Sequence, residues 1–90
     1  MYEIRYSKPA KSELKKIRSM SKATQKRLID ILRAIADNPY TDEYGAEDLK
    51  HEFSGYRSLE LTKKDRVVFT ISEEELAVEI QQFLGHYNDK

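Results

Sequence analysis

The sequence has no cysteine, no excess of charge of either sign and no long apolar run. The absence of cysteine excludes disulfides, thiolate chemistry and cysteine-based zinc sites. No stretch is long and apolar enough to span a membrane, and the chain does not open on a signal-peptide pattern. No repeat, linker or low-complexity segment interrupts it. We therefore expect a soluble cytoplasmic protein that forms one domain over residues 1–90.

The charges balance, with 16 basic and 16 acidic residues, whereas a general nucleic-acid-binding protein is usually more basic. Their layout is nevertheless uneven. The cations of the first half are Lys8, Lys11, Lys15, Lys16, Arg18, Lys22, Lys26 and Arg27. The acids gather later, at Asp42, Glu43, Glu47, Asp48 and residues 73–75. A basic helical face over residues 8–27 is therefore expected on a neutral molecule.

The first half of the chain predicts a strand followed by two helices. Apolar and polar residues alternate over residues 2–6, which is typical of a half-buried strand. Ser7 is a candidate helix cap, with Pro9 tolerated in the first turn. The apolar stripe of the second helix is Leu28, Ile31, Leu32 and Ile35. We expect this helix to end before Pro39, because proline disfavours the α conformation in the preceding residue.

The second half predicts a loop and then three strands. Residues 40–50 are polar and contain a glycine, so we expect a loop there, and residues 72–75 read as a hairpin turn. The core-facing residues of the last two strands are expected to be Val67, Phe69, Ile71, Leu76, Val78 and Ile80. The order β-α-α-β-β-β predicts a small α+β domain, with two helices packed on one face of an antiparallel-type sheet. The other face is expected to be half open, with Arg66 directed toward it.

The second half of the chain also contains the groups needed to cleave RNA by attack of the RNA's own 2′-hydroxyl. Such a cleavage uses a base for the hydroxyl proton, a cation for the phosphorane and an acid for the leaving 5′-oxygen. Glu47 is the candidate base, and Arg66 is the candidate phosphate clamp, because its fork can hold two phosphate oxygens. His86 is the candidate acid, because imidazole titrates near neutral pH. Tyr87 is a candidate to stack on a base or to contact phosphate.

Each of these residues also has a simpler structural interpretation. Glu47 fits a solvated loop carboxylate. Arg66 fits an exposed strand arginine that pairs with Glu60 or Glu79 across the sheet. His86 fits a surface histidine near the end of the chain.

Three further polar residues are candidates for contact with RNA. Lys50 and His51 are suited to hold its backbone, although they also fit polar residues at the start of a strand, and Arg57 is a further candidate. No metal-ligand spacing is present, because the two histidines are far apart and no acidic partner stands at the usual offset. We therefore expect neither a metal nor another cofactor.

Three blocks of residues carry a more specific signal together than apart. They are Glu47-x-Leu49-Lys50-His51-x-x-Ser54-Gly55-Tyr56-x-Ser58, Arg66-Val67-Val68-Phe69 and His86-Tyr87. In this order they resemble the YoeB/Txe group of the RelE/ParE toxin superfamily. The strand-helix-helix opening agrees as well, so the resemblance covers effectively the whole chain.

The resemblance implies a microbial-ribonuclease-like fold and a toxin of a type II toxin–antitoxin system. Such a toxin is a ribosome-dependent, metal-independent endoribonuclease that cleaves mRNA in the A site and inhibits translation. By position, Glu47 falls on the family's general base, Arg66 on its phosphate-binding arginine and His86 on its general acid. Tyr87 falls on an aromatic that positions RNA, and Lys50 on a basic residue near the substrate. The implied partners are a cognate antitoxin and the ribosomal small subunit with its mRNA, with rRNA contacts through the basic helical face.

Two other functions are compatible with the same sequence. A toxin of the same fold that poisons DNA gyrase by binding would not need Glu47, Arg66 or His86. A non-catalytic α/β domain that binds a protein partner agrees with the neutral charge. A neighbouring reading frame for a short protein with a DNA-binding half would count against the protein-binding domain, and a translation assay with mapping of mRNA ends would separate the gyrase-binding toxin from the nuclease.

Overall fold

The structure, a computed structural model, describes residues 1–85 and contains two helices and a five-stranded sheet in that range. The elements in chain order are β1 (Glu3–Tyr6), α1 (Lys8–Ile17), α2 (Lys22–Asp37), β2 (Glu47–Asp48), a 3₁₀ turn (His51–Phe53), β3 (Tyr56–Glu60), β4 (Arg66–Ser72) and β5 (Ala77–Gln82). The strands lie in the order β1-β5-β4-β3-β2. The predicted α+β class is confirmed. No helix within residues 1–85 has the length and apolar character needed to cross a membrane.

The sheet is mixed, which differs in one strand pair from the antiparallel-type sheet expected from the sequence. β1 pairs in parallel with β5, with Ile4 opposite Val78, while the other three strand pairs are antiparallel. Within residues 1–85, β1 lies at an edge of the sheet and its one neighbour is β5. The alternation within β1 predicts a strand, but it carries no information about the direction of a neighbour far along the chain.

Serine side chains begin both helices, as the sequence predicted for the first. Ser7 Oγ accepts a hydrogen bond from Ala10 N at 3.2 Å and donates one to Gln81 O at 3.0 Å. Ser21 Oγ accepts a hydrogen bond from Thr24 N at 3.1 Å. These bonds satisfy backbone donors that have no partner within the first helical turn. α2 ends at Asp37, two residues before Pro39, in agreement with the prediction.

The two helices cover one face of the sheet and enclose the core. The fully buried core includes Ile31 and Ile35 of α2, Leu59, Val67, Phe69, Val78 and Ile80 of the sheet, and Phe83. Neither helix covers the opposite side, which we call the open face. Strand alternation and register place on it Glu3, Arg5, Glu47, Ser58, Glu60, Arg66, Val68, Thr70 and Glu79.

Two details of the second half differ from the sequence prediction. The loop predicted over residues 40–50 contains the short strand β2, which pairs with β3 and is followed by the buried side chain of Leu49. Leu76, predicted to face the core, is 53% exposed and has φ of +51°. It closes the β4–β5 turn by donating its N–H to Glu73 O, so β5 begins one residue later than predicted.

The two caps should differ in their contribution to stability. Ser21→Ala removes only a cap and should lower the free energy of unfolding by about 1 kcal/mol. Ser7→Ala also removes the hydrogen bond to Gln81 O, which ties α1 to β5, and should cost about 2 kcal/mol. Urea unfolding of both variants measures the difference, with Ser21→Asn as a control that keeps a cap. Equal losses at the two positions would contradict the added role of Ser7.

Candidate active site

Arg66 is the centre of the polar cluster on the open face. It is the first residue of β4 and is only 9% exposed. Its Nε donates to Ser58 Oγ at 2.8 Å, and its Nη2 donates to Gly45 O at 2.6 Å. Within residues 1–85 its Nη1 has no hydrogen-bond partner, so this group holds the donors that are available to an anion. The alternative of an exposed arginine paired with Glu60 or Glu79 is wrong, because the guanidinium is buried against β3 and the preceding loop.

Glu47 lies beside Arg66, as the candidate site requires. It belongs to β2, where it pairs with Ser58 of β3 on the open face. Its Oε1 lies 3.6 Å from Nη2 of Arg66, and its side chain is 52% exposed against 10% for the arginine side chain. That separation is an ion pair without a hydrogen bond, since hydrogen bonds of this type are shorter. The carboxylate is therefore accessible to a ligand while it stays next to the cation.

Ser58 is a further member of this cluster, and the sequence predicted no role for it. It is fully buried and connects Arg66 to the strand that pairs with Glu47. The signal was present in the strand alternation, because Ser58 lies two residues from Glu60, which is directly opposite Arg66. A small hydroxyl at this position leaves room for the guanidinium and supplies its acceptor.

Arg57, a candidate RNA contact, lies on the opposite side of the sheet from Arg66. It pairs with Phe69, whose side chain is in the core, and it is 8% exposed. Its Nη1 donates to Pro39 O and Thr41 O at 2.9 Å each, and its Nε donates to Asp48 Oδ1 at 2.7 Å. These bonds hold the α2–β2 loop, so Arg57 supports the strand that carries Glu47.

The other predicted site residues are only partly placed by the structure. Lys50 and His51 are exposed at the start of the 3₁₀ turn, and His51 has φ of +59°. In the described part of the chain, neither side chain forms a hydrogen bond or an ion pair with Glu47 or Arg66, so their roles stay predictions. His86 and Tyr87 lie outside the described residues. Gly85, which precedes His86 in the sequence, accepts a hydrogen bond from the backbone N–H of Arg66 at 3.0 Å.

The α2–β2 loop that leads to Glu47 is anchored at two further places. The guanidinium of Arg27 lies over the ring of Tyr44 at 5.1 Å, while its Nε donates to Glu60 O. At the start of the loop, the hydroxyl of Tyr40 donates to the carboxylate of Glu73, which also accepts from the hydroxyl of Tyr2. These contacts join the loop to α2, β3 and the β4–β5 turn.

The hydrogen bonds at Glu73 change the ionisation of the groups that share them. The bond to Glu73 raises the pKa of Tyr40 from 10.0 to about 12, and the pKa of Tyr2 is raised for the same reason. The bond from Tyr40 lowers the pKa of Glu73, with a smaller contribution from Tyr2. The neutral phenol and the charged carboxylate are thus the forms that the fold favours.

The cluster combines a fixed cation with an accessible carboxylate. A buried arginine held by Ser58 and Gly45 suits the recognition of a phosphate, and an adjacent exposed carboxylate suits proton abstraction. Within residues 1–85 no group of three or more histidine, aspartate or glutamate side chains is arranged to hold a metal ion. The contact between Glu47 and Arg66 suits acid–base chemistry beside a fixed positive charge.

Comparison with known proteins assigns this fold to the small toxins of the YoeB/ParE type. No family model and no curated protein matches the chain, but solved structures do. A YoeB/ParE toxin from Agrobacterium tumefaciens is 20% identical and superposes with a TM-score of 0.85, covering 94% of this chain and 99% of its own.

Two further solved structures extend the comparison. The YoeB–YefM toxin–antitoxin complex from Staphylococcus aureus contains a chain that is 25% identical, with a TM-score of 0.79 and coverage of 97% and 99%. YafQ from E. coli is 14% identical, with a TM-score of 0.74 and coverage of 96% and 94%. The resemblance to YoeB-type toxins predicted from the sequence is therefore confirmed, and it supports a toxin of a type II toxin–antitoxin pair.

The Tyr40–Glu73 contact predicts a specific alkaline titration. Tyr40 should ionise near pH 12, and Glu73→Gln should return its pKa toward 10.0 because the carboxylate acceptor is lost. The tyrosinate absorbance of each protein, after subtraction of its Tyr40→Phe counterpart, measures this titration.

The same contact links stability to pH at both extremes. Because the folded pKa of Tyr40 is raised, its contribution is complete below pH 10.0 and is lost as the pH rises toward 12. Because the folded pKa of Glu73 is lowered from 4.5, its contribution is present above that pH and is lost as the pH falls through the folded value. A Tyr40 titration that does not change in Glu73→Gln would contradict the contact.

Proposed function

We propose that the chain is a single-domain toxin of the YoeB/Txe group that cleaves mRNA in the ribosomal A site. The observation that carries this proposal is the pairing of Glu47 with the buried Arg66 on the open face, at 3.6 Å. The sequence resemblance assigns these two positions to the base and the phosphate clamp of a ribonuclease. The likeness to YoeB and YafQ structures supports nuclease activity at the level of the family.

The proposed reaction is attack of a 2′-hydroxyl on the adjacent phosphate. Glu47 takes the hydroxyl proton, the 2′-oxygen bonds to phosphorus, and the bond from phosphorus to the 5′-oxygen breaks. His86 gives its proton to the leaving 5′-oxygen. The products are a 2′,3′-cyclic phosphate and a 5′-hydroxyl, and Arg66 stabilises the negative charge of the phosphorane between them.

The environment of Arg66 suits it to this role. Ser58 Oγ and Gly45 O hold Nε and Nη2, so the guanidinium needs little rearrangement when a phosphate arrives. Charge stabilisation by groups that are already in place is the largest contribution in many enzymes of this kind. Glu47 has the opposite property, because its exposed side chain is able to reach a hydroxyl that approaches from solvent.

The proposed physiological partner is an antitoxin that covers the open face and the end of the chain. The solved S. aureus complex shows that a protein of the same fold is found with an antitoxin. An antitoxin segment that folds as it binds would add helical and extended pieces to the domain. Such a partner would restrain a nuclease that otherwise stops translation in its own host.

Substitutions at the site should lower the rate of cleavage more than they weaken binding to the ribosome. Glu47→Gln and His86→Gln each remove a proton-transfer group and should slow single-turnover cleavage by about 10²–10⁴-fold. Arg66→Lys keeps a charge but loses the fork, and we expect a loss of about 10²–10³-fold. Cleavage of a programmed ribosomal complex, with end-group analysis for cyclic phosphate, measures these rates.

Glu79→Gln is the matched control, because Glu79 is an exposed carboxylate on β5 of the same face. It should cleave at the wild-type rate. Arg66→Ala is less informative, since it would leave Ser58 and Gly45 O without their donor. Toxicity without any mRNA cleavage, unchanged in the Glu47 and His86 variants, would instead favour a gyrase-binding toxin.

The basic helical face predicts salt-dependent association with the ribosome. Lys11, Lys15 and Lys22 are exposed, and we propose that they contact rRNA phosphates. Replacing all three with glutamate should weaken cosedimentation with ribosomes and reduce its dependence on salt, since fewer counterions are released. The matched control is Lys63→Glu with Lys64→Glu, two exposed lysines outside the basic helical face. Equal sedimentation of the triple variant and wild type at low salt would rule out this contact.

A further inference from the structure

The segment that follows β5 is held by carboxylates from two other parts of the fold. Glu13 Oε1 on α1 accepts hydrogen bonds from Phe83 N at 2.6 Å and from Leu84 N at 3.3 Å. Asp65 Oδ1, in the turn before β4, accepts a hydrogen bond from Gly85 N at 2.8 Å. Three consecutive backbone N–H groups therefore end on two acidic side chains, which we call the anchor carboxylates.

The same segment is joined to the backbone of the arginine at the centre of the site. Gly85 O accepts a hydrogen bond from Arg66 N at 3.0 Å. The backbone N–H and C=O of Gly85 are therefore bonded to two adjacent residues, Asp65 and Arg66. Phe83 is fully buried and lies 5.9 Å from the ring of Tyr6. The segment is thus fixed relative to the guanidinium that sits in the cluster with Glu47.

Burial of Phe83 alone does not account for these bonds. The N–H groups of the partly exposed Leu84 and Gly85 would otherwise bond to water at little cost. Hydrogen bonds to charged acceptors are about twice as strong as those between neutral groups. They also fix direction, because each bond restricts the orientation of one peptide unit.

We propose that Glu13 and Asp65 are positioning residues for the general acid. They fix Gly85, the residue before His86 in the sequence, relative to the guanidinium of Arg66, and so set the point from which the chain continues to the proposed acid. This inference rests on the proposed function. Small displacements of a catalytic group are costly, with a shift of about 1 Å able to reduce a rate by about 10²-fold.

Glu13 gives the cleaner test, because Asp65 also accepts a hydrogen bond from the hydroxyl of Thr62. Glu13→Ala removes the acceptor for two N–H groups, while Glu13→Gln keeps an oxygen at the same position. Asp30→Ala is the matched control, since Asp30 is a helical carboxylate whose ion pair with Lys26 is exposed. Thermal unfolding of each variant measures the folded fraction, which corrects the rates.

The experiment measures how strongly the cleavage rate depends on protonation of the leaving oxygen. Two mRNAs are compared in single turnover, one with the natural linkage and one with sulfur in place of the leaving 5′-oxygen at the cleaved bond. A thiolate leaves without protonation, so a defect in the general acid disappears with the sulfur substrate. Glu13→Ala should slow cleavage of the natural linkage by about 10–10²-fold and cleave the sulfur linkage near the wild-type rate.

The other variants divide the outcomes. His86→Gln should show the same rescue by sulfur, Glu47→Gln should not, and Glu13→Gln should act as wild type on both substrates. The positioning role is overturned if Glu13→Ala cleaves the natural linkage at the wild-type rate, or if it is equally slow on both substrates. Either result leaves the role of His86 as the proposed acid unchanged. Failure of His86→Gln to depend on the leaving atom overturns the proposed acid itself, and the inference with it.

Discussion

The site depends on the interactions of the buried guanidinium of Arg66. A charge that is largely removed from water is stable in a fold only when acceptors surround it. Here the acceptors are Ser58 of β3 and Gly45 of the α2–β2 loop, and the carboxylate of Glu47 in β2 adds an ion pair. The backbone N–H of the same residue holds Gly85. One residue thus specifies where a loop, an edge strand and the end of the described chain meet.

A second buried arginine supports this arrangement from the other side of the sheet. Arg57 and Arg66 are almost equally buried, at 8% and 9% exposure, but they face opposite sides. Arg57 directs its donors to Pro39, Thr41 and Asp48, and so fixes both ends of the loop that contains Gly45. The two residues have different effects. Arg57 holds the α2–β2 loop in place, and Arg66 forms the centre of the polar cluster on the open face.

Local sequence patterns predicted the helices and strands, but they could not predict contacts between residues far apart in the chain. The serine at position 7 and the alternation of Val67 with Phe69 predicted a cap and a buried strand face, because both signals lie within a few residues of the feature. The resemblance identified Glu47 and Arg66 as a pair, and the structure brings them together. The contact between Glu13 and Phe83, 70 positions apart, leaves no pattern in either segment.

The same limit explains the incorrect predictions. Leu76 was assigned to the core because it continues the alternation of β5, but the tight turn to β4 needs a residue in a left-handed conformation at that point. The burial of Arg66 was missed because arginine in a strand is ordinarily exposed. Its acceptors are a serine and a carbonyl, and only the assembled sheet and loop bring these groups to it.

The rigid cation and the accessible carboxylate suit different roles in the proposed reaction. Charge stabilisation is most effective when the charged group is already oriented, and the bonds to Ser58 and Gly45 fix the orientation of this guanidinium. A base must instead reach a proton on a substrate that is bound mainly elsewhere, so a half-exposed side chain on a two-residue edge strand is suitable. The neutral charge of the chain is consistent with this division. In the proposed reaction the fixed guanidinium of Arg66 would stabilise the phosphate, and the separate basic helical face of residues 8–27 would contact rRNA.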